Sequence, residues 1–307
     1  MKITAPDVIS NSYFPVLAAV ELGYFKDEGL DMTFEHIVPV DKCYEALRDG
    51  KIDFVGGSSH SALAAFPEWQ GVKLLGALAQ GMYWFLVLRT DLGAKKGDID
   101  AVKGLSVGAA PWVEMGLRRL LIEAGIDLER DRVRIGPIPG AIKPGVSFGV
   151  TAAQALADGK IDAFWANGMG AETAVRRGVG TVVVDARRGG GPKAAFNYTW
   201  PVLATSDRLI KENPDAVAAA VRALVKTQKA LKADISLATK VGRSIFPPHD
   251  AEMIADVVER DLPFYDPSLP QDFVKEMNQF TIGLGVLKEN VPYDRVVATE
   301  FSSLWRG

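Results

Sequence analysis

One phrase occurs twice in this chain. Residues 46–54 read Ala-Leu-Arg-Asp-Gly-Lys-Ile-Asp-Phe, and residues 155–164 read Ala-Leu-Ala-Asp-Gly-Lys-Ile-Asp-Ala-Phe. Each copy has the pattern of a helix end (Leu47, Leu156), a glycine turn (Gly50, Gly159) and a short strand (Ile52 to Val55, Ile161 to Trp165). Each strand then runs into small and polar residues, Gly56-Gly57-Ser58-Ser59-His60 in the first copy and Ala166-Asn167-Gly168-Met169-Gly170 in the second. Two similar α/β units imply two lobes, each presenting a strand-end loop to a shared cleft. Open α/β sheets bind ligands beyond the carboxyl ends of their strands, so the echo bears on function as well as fold.

A chain of 307 residues is long enough for two domains with ordinary cores. The net charge of −3 argues against nucleic acid or an acidic membrane surface as partner. The most apolar stretch, Met82 to Leu88, is strand-length, so no membrane span is expected. Cys43 is the only cysteine, which excludes an internal disulfide and a cysteine-built metal site. His36, His60 and His249 lack metal-ligand spacing, and no metal or cofactor is implied. Met1-Lys2-Ile3-Thr4 leads straight into a strand without the basic, apolar and small-residue pattern of a leader. That fits a cytosolic protein, or an extracytoplasmic one whose leader was removed.

Strands alternate with helices along the chain, the signature of mostly parallel sheets. Strands are predicted at 2–5, 32–38, 52–55, 73–79, 84–88, 105–108, 161–165, 180–184 and 200–205. Helices are predicted at 15–22, 41–47, 61–66 and 113–124, and from Asp207 onward the pattern is largely helical. The second unit sits inside the first, giving lobe one as residues 1–88 and 201–307 and lobe two as residues 89–200. Two crossings make a hinge, and hinge closure around a ligand is an established use of such a topology. The Gly/Pro-rich stretch 136–149 either lines the cleft or covers the sheet. Arg187-Arg188, followed by glycines, reads as a solvated surface loop, and Asn197-Tyr198-Thr199 as cleft or hinge.

Leu22-Gly23-Tyr24-Phe25-Lys26-Asp27-Glu28-Gly29-Leu30-Asp31 resembles the N-terminal signature of the family that groups thiamine-pyrimidine synthases with the sulfonate, taurine and nitrate binding proteins of ABC importers. The two Asp-Gly-Lys-Ile-Asp segments, Val102 to Val107, and the tail from Phe280 to Leu287 with Tyr293-Asp294 are similar to it as well. The resemblance spans essentially the whole chain. It implies a bilobal periplasmic-binding-protein-like (type II) α/β fold, with two mostly parallel sheets flanked by helices, a cleft and two hinge crossings. For a transport receptor it also implies an ABC permease and ATPase as partners. Fold alone does not fix function. Aromatic desulfinases of this fold carry a nucleophilic cysteine after an Asn in the first loop, where this chain has Ser10-Asn11-Ser12. The arginine of their Arg-Phe-Gly-Gly is missing from Asp53-Phe54-Val55-Gly56-Gly57, and the cysteine-rich cluster of the pyrimidine synthases is absent. These departures argue against both chemistries, since a serine hydroxyl needs an adjacent base to act as a nucleophile.

The expected ligand-binding residues come from the strand-end loops. Asn11, Ser12 and Tyr13 form the first loop. Ser58, Ser59 and His60 follow the first copy of the echo, with hydroxyls and helix-start amides suited to an anionic or carbonyl group. Trp84, Trp112 and Trp165 stand at strand ends and a helix start, where aromatic rings can stack on a flat ligand. Asn167 ends the second copy, and Glu114 complements a helix dipole without any ligand. With no arginine at an obvious loop position, the expectation is a solute-binding protein for a small aromatic or heteroaromatic molecule. The alternative is a cytosolic enzyme on the same fold (decarboxylase, hydrolase or desulfinase-like lyase) using Ser12 and His60.

Overall fold

The computed structural model describes residues 1–306. Its two five-stranded sheets share one topology. The first is built from β1 (Lys2–Ala5), β2 (Thr33–His36), β3 (Phe54–Ser58), β4 (Val72–Ala77) and β10 (Pro201–Ser206). Its order is β2-β1-β3-β10-β4. The second is built from β5 (Phe85–Arg89), β6 (Ser106–Ala109), β7 (Arg134–Gly136), β8 (Ala163–Ala166) and β9 (Gly180–Asp185). Its order is β7-β6-β8-β5-β9. In each sheet one strand runs against the rest: β10 is antiparallel to β3 and β4, and β5 to β8 and β9. Those two strands are the ones that enter their sheet from a crossing.

The expected switch after Leu88 falls inside β5, whose residues Phe85–Arg89 pair in the second sheet. The chain therefore leaves the first sheet between Ala77 and Phe85. An apolar run such as Trp84 to Leu88 suits a buried strand of either sheet, and only its pairing partners assign it.

The echo is structurally literal. Helices Val40–Arg48 and Phe148–Ala157 each end on a left-handed glycine, Gly50 at φ 70° and Gly159 at φ 67°. In the first copy the Gly50 and Lys51 amides donate to Leu47 and Ala46 carbonyls, and in the second Gly159 and Lys160 donate to Leu156 and Ala155. Glycine takes this conformation without the Cβ penalty, so the helix stops here and the chain turns into the sheet. The second Asp of each phrase then pins the neighbouring strand. Asp53 Oδ2 accepts the Lys2 amide at 2.7 Å, and Asp162 Oδ2 accepts the Ser106 amide at 2.9 Å.

β3 begins later than expected and runs through Gly56, Gly57 and Ser58, which the sequence reading assigns to a loop. The glycines are there for close approach. A Cβ on Gly56 would lie 2.9 Å from Val16 Cγ2, and one on Gly57 3.1 Å from the Tyr44 hydroxyl oxygen. The short helix expected over 61–66 is a 3₁₀ turn, Ser59–Ala64.

The long C-terminal helices Pro214–Ala233, Pro248–Asp261 and Gln271–Gly283 belong to the first lobe. Helix Pro248–Asp261 also crosses to the second, packing on helix Gly168–Arg176. Arg176 pairs with Asp256 at 2.6 Å and Arg260 with Glu172 at 3.1 Å along that seam. The lobes are therefore closed on each other. No helix is long and apolar enough to cross a membrane among the described residues.

Candidate functional site

A narrow pocket of about 50 Å³ lies between the lobes, at the carboxyl ends of the strands. Tyr13, Trp84 and Phe148 supply aromatic walls, with Asp7 and Asn167 the polar groups among its lining. Val38, Pro39 and Val40 close it from the first lobe, and Pro111, Val113 and Ile142 from the second. The stretch 136–149 does both: Ile142 and Phe148 line the pocket, while Ile138 and Ala141 pack on the second sheet's core.

Trp84 is 3 % exposed, and its face is fixed by Tyr83 and Trp165 at ring-centroid distances of 4.7 Å and 6.2 Å. Tyr13 joins the first loop to the first crossing through a 2.8 Å hydroxyl contact with Tyr83. Burial pushes the Tyr13 phenol well above its ordinary range, so it stays a neutral hydrogen-bonding group. Asn167 caps helix Gly168–Arg176, its Oδ1 accepting the Met169 and Gly170 amides at 3.0 and 3.1 Å. Its Nδ2 donates to Asp7 Oδ2 at 3.0 Å, across the cleft.

Asp7 is missed by the sequence reading. It is 6 % exposed, and burial raises its carboxyl to about 7 in spite of the donors around it. The Ile9 amide donates to Oδ1 at 3.0 Å and the Ser147 hydroxyl to Oδ2 at 3.2 Å. An acidic residue just past the carboxyl end of β1 was the available signal.

The other expected residues lie outside the pocket wall. Trp165 is fully buried behind Trp84 and donates its indole N–H to the Val113 carbonyl at 3.1 Å. Trp112 packs against the first lobe's core at a left-handed φ of 67°, a strained conformation for a tryptophan. His60 Nε2 donates to the Trp112 carbonyl at 3.1 Å, joining the lobes. Burial lowers the imidazole to about 4, so it is neutral near pH 7, and its Nδ1 is buried without a partner. Ser58 is bonded to Ser61 at 2.5 Å, and Ser59 to Thr199 of the return crossing at 3.0 Å. The Ser59 amide donates to the Trp200 carbonyl, so it is not free for an anion. Asn11 donates to Asp261 Oδ2 at 2.6 Å. The Ser12 hydroxyl is buried without a partner and makes no hydrogen bond with His60, so no nucleophile–base pair is formed.

The arginine pair corrects the surface-loop expectation. Arg187 is 4 % exposed, with Nη1 3.1 Å from Asp261 Oδ2, and Arg188 Nη2 lies 2.6 Å from Asp261 Oδ1. The two guanidiniums hold the Asp261 carboxyl below the usual range against the opposing effect of burial. The loop is thus a clamp between lobes. A larger open groove of about 790 Å³ runs beside Arg187, Asn197, Tyr198 and Phe280, on the return-crossing side. None of the expected ligand residues lines it.

The family model described as NMT1/THI5 like matches residues 10–234. The chain belongs to that family. No curated protein matches it. Solved structures match along nearly the whole length. A protein from Bordetella bronchiseptica RB50 is 20 % identical with a TM-score of 0.75, covering 99 % of this chain and 96 % of that one. The alkanesulfonate-binding protein SsuA from Xanthomonas axonopodis pv. citri, bound to MOPS, is 15 % identical with a TM-score of 0.70, covering 98 % and 96 %. A mutant of the desulfurization enzyme DSZB, in complex with biphenyl-2-sulfinic acid, is 17 % identical with a TM-score of 0.65, covering 99 % and 98 %. At these identities the likeness establishes the bilobal periplasmic-binding-protein-like fold, with its mixed sheets flanked by helices.

Proposed function

We propose that this NMT1/THI5-like protein is a solute-binding receptor that closes its lobes on a small aromatic or heteroaromatic molecule. In this reading it works outside the cytoplasm and delivers that ligand to an ABC permease and ATPase. The observation that carries the proposal is the pocket itself. Aromatic side chains from both lobes, Tyr13 and Trp84 facing Phe148, surround a few hydrogen-bonding groups at the strand ends. Such walls favour a flat apolar ring, and the few polar groups orient it. The likeness to the alkanesulfonate-binding protein supports the receptor role. Opening the lobes separates Asp7 from Ser147 and Asn167, and His60 from Trp112, which gives the ligand its way in.

The test is a thermal-shift screen of aromatic and heteroaromatic compounds, since a ligand that binds only the folded state raises its melting temperature. A hit should lose most of its shift in Trp84→Leu, which keeps the position apolar but removes the ring. A hit whose shift is the same in that variant is not held in this pocket, and the reading fails.

A further inference from the structure

Asp7 is a buried carboxylate with no counter-cation. Its protein partners are the Ile9, Phe148 and Gly149 backbone amides, the Ser147 hydroxyl and the Asn167 side-chain amide, and none of them carries a formal charge. Buried charges in folded proteins are normally paired, because removing an ion from water is costly unless a partner compensates it. The contrast with Asp261 is internal to this molecule: also buried, that carboxylate has two arginines. Asp7 also lines the ligand pocket, where it is the only carboxyl group and no basic side chain joins it. A positive charge completing the site must therefore come from a proton or from whatever enters the pocket.

Resting on the receptor reading above, we propose that Asp7 is the specificity-determining residue of the pocket and selects ring compounds bearing a cationic nitrogen, of the amidinium or ammonium class, against sulfonates and other anions. The ligand's N–H groups supply the missing charge to Asp7, while its ring lies against Tyr13 and Trp84. An anion meets the opposite situation, since Asp7 already occupies the donors of Ser147 and Asn167 and repels a second negative charge. The attraction and the rejection come from the same carboxylate.

Benzamidine, benzamide and benzenesulfonate share one ring and differ in charge, so titrating the three against the full chain by calorimetry tests the proposal. The expected order is benzamidinium tightest, by about tenfold or more over benzamide, with benzenesulfonate weakest. Asp7→Asn should erase the benzamidinium advantage and bring benzenesulfonate level with benzamide. If benzamide or benzenesulfonate binds the wild type as tightly as benzamidinium, the role of Asp7 is wrong while the aromatic receptor stands. If none of the three binds, the aromatic reading itself falls, and this inference with it. The wild-type order decides even if the variant folds poorly.

Discussion

Arg187 and Asp261 meet 3.1 Å apart with side chains 2 % and 1 % exposed, joining the loop after β9 to the last helix turn before Leu262. Arg188 and Asn11 share the same carboxylate, so one aspartate gathers the second lobe, the C-terminal helices and the first loop. Removing one partner of a buried pair leaves an uncompensated charge, at a cost of about 3–5 kcal/mol. Asp261→Ala should therefore lower unfolding stability in urea by that order. Arg176→Ala, which breaks solvent-exposed pairs with Asp256 and Glu172, should cost less, about 1 kcal/mol. Equal effects would show that the clamp is not desolvated.

Both echoed glycines should lose stability when given a Cβ. Gly50→Ala and Gly159→Ala each place a Cβ on a left-handed residue, at a cost of about 1–2 kcal/mol. The measurement is the urea midpoint of each variant. A neutral Gly159→Ala would mean the second copy does not need its left-handed glycine, whereas an extra loss at Gly50 reflects the Arg208 side chain 2.7 Å from the added Cβ.

Asp53 and Asp162 lead to a parallel expectation for strand pinning. Each accepts the first amide of the adjoining strand, so replacement by Ala removes a hydrogen bond to a charged acceptor. The expected loss is about 1.5–3 kcal/mol for either variant. Hydrogen exchange should show faster opening at Lys2 in the first variant and at Ser106 in the second, and unchanged rates there would contradict the pinning role.

Two buried groups set opposite pH dependences. Asp7, raised from 3.8 to about 7, contributes stability that is present below its unfolded value and declines as pH rises through about 7. His60, lowered from 6.5 to about 4, contributes stability that is present above 6.5 and is lost as pH falls through about 4. Asp7→Asn should flatten the decline between pH 4 and 7, and His60→Gln the acid loss below 6.5. Unfolding curves across that range check both signs.

Local patterns carried most of the fold. The helix at Val113–Glu123 and the strands at Lys2–Ala5 and Gly180–Asp185 come within a residue of their expected bounds, because caps, glycines and periodicity are local. What failed to show in the sequence was long-range partnership. Arg187 looks solvated beside its glycines until Asp261 arrives from a distant helix. Asp7 goes unremarked beside Pro6, because the Ser147 and Asn167 that bury it lie far along the chain. The tryptophans were legible as a group, yet only packing separates Trp84, which faces the pocket, from Trp165, which backs it.

The most direct test of the central claim is a crystal structure with the tightest ring compound from the screen. The account predicts its ring between the lobes against Tyr13 and Trp84, within hydrogen-bonding reach of Asp7. Density instead in the groove beside Tyr198 and Phe280, with the interlobe pocket unfilled, would contradict it.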